Sequence, residues 1–157
     1  MKHFFIALSL LLVSSLSHAA DSDEAQTQAN LLGTAMTKQD YLGVAKMTHP
    51  EVVKRMGGED KLASYLDQAF KDGGIRFTRM QFQKPLQLNS SGRVILAKVP
   101  YQAVVSIGEE EGVSESFYIG FLVKKNQWAF VDCEGISQDI LQVLSTGYDG
   151  GLNLSGC

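Results

Sequence analysis

The chain has 157 residues, 14 Lys and Arg against 17 Asp and Glu for a formal net charge of −3, and is 45% hydrophobic and 20% charged. Such a chain suits one domain with a real core and is neither disordered nor fibrous. A mildly acidic balance with no run of Lys or Arg lacks the electrostatic footprint of a nucleic-acid binder, so no nucleic-acid partner is expected.

Residues 1–19 read as a secretory signal peptide. In MKHFFIALSLLLVSSLSHAADS, Lys2 supplies the positive start, Phe4 to Val13 the apolar run, and Ser17-His18-Ala19 the small-x-Ala cleavage pattern. The apolar run is shorter than the roughly 18 residues that a membrane-spanning helix needs. No Cys follows it to carry a lipid. The expectation is a periplasmic or secreted bacterial protein with no membrane insertion after cleavage. Removal of His3 and His18 leaves His49 as the one histidine. The sequons Asn89-Ser90-Ser91 and Asn153-Leu154-Ser155 would matter only in a eukaryotic secretory pathway.

A folded domain is expected over residues 20–144, helices first. From Asp21 to about Met36, the residues Ala25, Ala29, Leu32 and Met36 recur at helical spacing, with Asp21, Asp23 and Glu24 at the favourable N-terminal end. A short second helix, roughly Asp40 to Met47, offers Tyr41, Val44 and Ala45. In KMTHPEVVKRMGG, residues 46–58, a third brief helix begins in one of two ways. Thr48 and Glu51 can form a capping box, or Pro50 is the first helical residue and His49 is the cap. A helix start disfavours a protonated imidazole, so His49 should be neutral at pH 7. It is read as a structural corner or as a ligand contact at a pocket mouth. A fourth helix opens at Gly58-Glu59-Asp60, carries Leu62, Leu66, Ala69 and Phe70 as its stripe, and ends at Gly73-Gly74.

After Gly74 the period becomes alternating. Ile75 to Lys84 predicts a strand, Asn89-Ser90-Ser91-Gly92 a turn, and Arg93 to Ile107 a long strand with Ile95, Ala97, Val99 and Tyr101 on one face. Pro100 cannot donate to a ladder, so a bulge or an edge is expected there. Glu109-Glu110-Glu111-Gly112 predicts an acidic hairpin tip. Ser114 to Lys125 predicts a strand with Phe117, Ile119, Phe121 and Val123 on one side. Lys125-Asn126 turns into a strand from Gln127 to Cys133, and a last helix spans Ile136 to Leu144. Residues 145–157 form a Gly-rich tail. Two cysteines, Cys133 and Cys157, in an oxidising compartment predict a disulfide tying that tail to a strand end. No CxxC occurs to support a redox-active or zinc role.

Helices followed by an antiparallel meander define an α+β domain. Three features resemble the nuclear transport factor 2-like (ketosteroid isomerase-like or SnoaL-like) superfamily. They are the passage Gln39-Asp40-Tyr41-Leu42-Gly43-Val44 into a second helix, the THPEVVKRMGG corner, and the closing Asn126-Gln127-Trp128-Ala129-Phe130-Val131-Asp132. The resemblance implies N-terminal helices packed on a strongly curved antiparallel sheet, forming a cone with a pocket, and a homodimer. It implies no single reaction, because members include isomerases, dehydratases, cyclases and binding proteins.

No residue falls on a catalytic motif of that superfamily, so none is assigned a catalytic role. An acid/base isomerase or dehydratase would need a pocket carboxylate, for which Glu115 and Asp132 are the choices, and a tyrosine such as Tyr101 or Tyr118. Glu115 is expected in solvent, and Asp132 at a strand end or capping the turn before the last helix. No G-x-S-x-G elbow, no zinc ligand set and no phosphate-cradling glycine loop is present, so neither metal nor cofactor is expected. The aromatic supply favours a non-enzymatic binding module with an apolar pocket for a small hydrophobic ligand, or a protein-interaction domain, with the outer sheet face open to a partner or second subunit. The residues assigned to ligand binding are His49, Tyr65, Tyr101 and Tyr118.

Overall fold

A computed structural model describes the backbone of residues 4–91 and 94–144, with side chains for residues 21–86, 95–137 and 139–144. The elements are α1 (Phe4–Thr37), α2 (Tyr41–Met47), α3 (Pro50–Arg55), α4 (Glu59–Asp72), β1 (Ile75–Phe82), β2 (Gln87–Ser91), β3 (Val94–Ile107), β4 (Glu110–Lys124), β5 (Gln127–Asp132) and α5 (Gln138–Leu144). The fold is α+β: helices precede a strongly curled antiparallel half-barrel sheet, and a short helix follows it. The tail at 145–157, with Cys157, lies outside the described residues.

The sheet runs β1-β3-β4-β5, and β2 lies beside β1 along the same edge of β3. Gln83 and Leu86 still donate their N–H groups to the carbonyls of Pro100 and Lys98, at 2.9 Å each. Thus β1 and β2 act as one long edge strand broken at Lys84-Pro85. Because N–H and C=O of one strand residue point the same way, the ring nitrogen of Pro100 faces that break. The β3–β4 register passes through Pro100 without a shift, pairing it with Phe117. Of the bulge or edge expected at Pro100, the bulge is absent from β3, and the proline nitrogen instead faces the gap in the neighbouring edge strand.

Two further expectations are corrected. Asn89-Ser90-Ser91 is not a turn but the end of β2, pairing with Leu96, Ile95 and Val94. Glu110, Glu111 and Gly112 are not a hairpin tip but the start of β4, since Glu110 already pairs with Ile107. The tip shrinks to Gly108-Glu109, where Gly108 takes a φ of 61° in the first central position of a two-residue turn. The long, regular partner strand outweighs the local turn chemistry in both places.

Two hydrophobic cores lie on opposite faces of the sheet. On the concave face, Ala25, Ala29, Leu32 and Met36 of α1, none more than 5% exposed, pack against Ala97, Val99, Tyr101, Trp128 and Phe130. Burying a side chain such as Leu32 contributes about 1.5–3 kcal/mol. Amides of α1 fix its position on the sheet. Gln26 donates to the Phe82 carbonyl and Asn30 accepts from the Phe82 N–H, while Gln28 accepts from the Trp128 N–H at 2.8 Å and donates to the Asn126 carbonyl. On the convex face, Leu96, Ile119, Phe121, Val131 and Cys133 pack under Leu141 and Leu144 of α5. That part of the outer face, expected to be open to a partner, is covered by the chain itself.

Candidate functional site

The α2–α3 corner closes part of the edge of β5. Thr48 forms an isolated parallel bridge with Phe130, and the His49 N–H donates to the Phe130 carbonyl at 3.1 Å. His49 is the N-cap of α3, with Pro50 in the first turn and its Nδ1 accepting from the Glu51 N–H at 3.2 Å. The Thr48 hydroxyl instead donates to the Val44 carbonyl, so the alternative capping box does not form. The His49 ring stands edge-on to Phe121, with centroids 4.7 Å apart, and burial lowers its pKa against the opposing charge of Glu51. Phe121 belongs to the convex core. The imidazole therefore points away from the concave face, and it is Thr48 and Val52 on either side that reach the cavity described next.

Between the helices and the curled sheet lies a cavity of about 960 Å³. Leu32, Met36 and Val44 form part of its wall, and Leu66 and Phe70 of α4 face it from the other side. Of the α4 stripe, Leu62 is buried and Leu66 and Phe70 are half-buried against this cavity, while Ala69, which does not line it, is exposed. An apolar face that borders an open cavity is not sealed against solvent. The cavity opens beside the β3–β4 hairpin, where Tyr65, Ile107 and Val113 are 58%, 58% and 65% exposed. Around the edge of β5 it extends to Val52, Ile136 and Ile140.

Polar groups gather where β3, β4 and β5 pass one another. Tyr118 and Asp132 are directly paired across β4 and β5, and Tyr101 is paired with Ser116 across β3 and β4. The rings of Phe82, Tyr101 and Tyr118 form a mutually packed triangle with centroid separations of 5.6, 5.5 and 5.4 Å. Asp132 ends β5 and accepts from the Glu134 N–H through Oδ1 at 3.3 Å, a short-range turn contact. Burial raises its pKa; the Glu134 N–H bond pulls the other way, and the charge of Glu134 adds to the rise. Burial also drives the tyrosines upward, helped by the charges of Asp132 and Glu134. Tyr101 is pushed up to about 12 despite an opposing hydrogen bond from Ser116. Tyr118 lies well above the usual phenol value, with Tyr101 contributing after Asp132.

Of the residues assigned from the sequence, the structure brings Tyr101 and Tyr118 together, places Tyr65 at the open rim, and turns the ring of His49 to the other side of the sheet. Glu115 is exposed and accepts a hydrogen bond from Gln102 at 2.7 Å, outside the cavity. Asp132 does end its strand, yet its side chain belongs to the cavity wall. Sequence reasoning missed Glu134 and, on α4, Leu62 and Leu66 as lining. Among the described residues no group of three or more potential ligands could hold a metal ion. No described helix is long and apolar enough to cross a membrane. No family model matches the chain, and no characterised protein matches it at a significant level.

Proposed function

We propose that the protein is a periplasmic or secreted, non-enzymatic binding module of the nuclear transport factor 2-like kind, which holds a small hydrophobic ligand between its helices and its curled sheet. The observation that carries this reading is the cavity. At about 960 Å³ it lies near the top of the range for ligand sites, and an apolar wall with a few converging polar groups is their usual composition. The cone-shaped identity rests on the resemblance in residues 39–58 and 126–132, and the α+β architecture agrees with it. Native mass spectrometry of protein purified from its own compartment should show a retained small molecule, and ligand addition should raise the melting temperature. A panel of apolar compounds that neither bind nor stabilise would refute the reading. A homodimer, also implied by the resemblance, would appear in the same spectrum; α5 leaves it only the rest of the outer face.

A second reading, an acid/base isomerase or dehydratase, is favoured by one observation: the raised carboxyl of Asp132 opposite Tyr118. Asp132 would take a proton, and Tyr118 or Tyr101 would donate a hydrogen bond to the developing oxyanion. It ranks second because that oxyanion would form beside Asp132 and Glu134 with no cation among the described lining residues. Turnover abolished by both Asp132→Asn and Tyr118→Phe would promote it.

A further inference from the structure

The geometry points to a hydrophobic amine as the ligand, an alkyl- or arylalkylammonium ion with its charged head at Asp132 and Tyr118 and its hydrocarbon along the concave face. This rests on the cavity being a binding site and names what it selects. Among the described residues four carboxylates line it, Asp132 and Glu134 at one end and Glu110 and Glu111 at the hairpin end, and no described Lys, Arg or His does. A carboxylate or phosphate ligand would meet like charge at either end. A neutral ligand would leave Asp132 without the counter-ion that a partly buried carboxylate needs.

The Tyr118 side chain supplies an independent observation. It is only 9% exposed, forms part of the cavity wall and stands directly opposite Asp132 across β4 and β5. An ammonium placed between that hydroxyl oxygen and the Asp132 carboxylate would donate to both. The rings of Tyr101, Tyr118 and Phe82 stand close by, and aromatic faces attract cations. Burial raises the pKa of Asp132, the signature of a carboxyl lacking a cation, and a bound ammonium would reverse that shift. From Tyr118 back to Glu111 the strand covers roughly 23 Å, room for an extended chain.

The test is calorimetric titration of the purified full-length protein with decylammonium, decanol and decanoate, each below its micelle concentration. Decylammonium should bind about tenfold or more tightly than decanol, as a charge-assisted hydrogen bond predicts, and decanoate should bind weakest. Asp132→Asn should remove that advantage, bringing decylammonium affinity down to that of decanol or below; retained decanol binding also shows that the variant is folded. Tyr118→Phe should lower decylammonium affinity more than decanol affinity. Equal binding of decylammonium and decanol by the wild-type protein, or tightest binding of decanoate, would overturn the amine inference while leaving a hydrophobic binding site intact. If none of the three binds, both the inference and the underlying binding reading fail. The wild-type ranking decides the matter even if a variant does not fold.

Discussion

The tightest constraint on the concave core is at Gly120, and it predicts a measurable cost for a single methyl group. A Cβ at this position would sit 3.1 Å from Trp128 Cε3 and 3.2 Å from Phe130 Cε1. Those rings are 2% and 1% exposed, so neither can swing into solvent to make room. Overpacking of this kind costs about 1–3 kcal/mol. Replacing Gly by Ala also restricts the unfolded chain, which offsets about 0.4–1 kcal/mol. The net expectation for Gly120→Ala is a loss of about 1–2 kcal/mol, or about 2–8 °C in melting temperature for a chain of this size. The assay is thermal unfolding followed by circular dichroism, with Trp128 fluorescence reporting the displaced ring. Gly112→Ala is the control, because it lies on the same strand and a Cβ there meets nothing within 4 Å. If the two variants melt together, the rings are not packed against the strand backbone and the concave core is looser than described.

Four other outcomes follow from the same structure. His49→Ala removes the α3 cap and should cost about 1 kcal/mol in denaturant unfolding while leaving ligand affinity unchanged. Burial lowers the pKa of His49, so the stability tied to its neutral form should be complete above its ordinary value of 6.5 and decline as pH falls through the lowered one; His49→Gln should flatten that slope. Asp132 has the opposite sign. Its folded pKa is raised, so its contribution is greatest below 3.8 and is lost as pH rises through the raised value, and Asp132→Asn should gain on the wild type towards neutral pH in melts without ligand. If Cys133 and Cys157 are bonded, as the compartment predicts, Cys157→Ser should lower stability by about 3 kcal/mol, and reduction should add two mass units to the wild-type protein only.

Much of the fold can be read from periodicity. The α1 stripe and the alternating faces of β3 and β4 follow from spacing: the α1 stripe is buried whole, and of the strand faces Ala97, Val99, Tyr101, Ile119 and Phe121 are buried while Ile95, Phe117 and Val123 are only half-buried. What spacing cannot give is the pairing between strands. Counting back from the Lys125-Asn126 turn without interruption sets Tyr118 opposite Cys133. A register shift between Leu122 and Lys124 moves the partner by one, so Asp132 stands there instead. One irregular residue thus decides whether a carboxylate or a thiol faces the tyrosine, and no local signal at Val123 announces it. The half-buried state of Leu66 and Phe70 on α4 was hidden for a related reason: periodicity shows that a face is apolar, not whether protein or empty space lies against it.

The two-sided sheet also bears on when this chain can fold. Its concave core needs α1, the first described element, whose Gln28 amide meets partners 98 and 100 residues further along. Its convex core needs α5, the last described element. A nascent chain holding only the strands would expose apolar side chains on both faces of the sheet, and contacts of such long sequence separation form slowly. Stable structure must therefore wait until α5 has been synthesised.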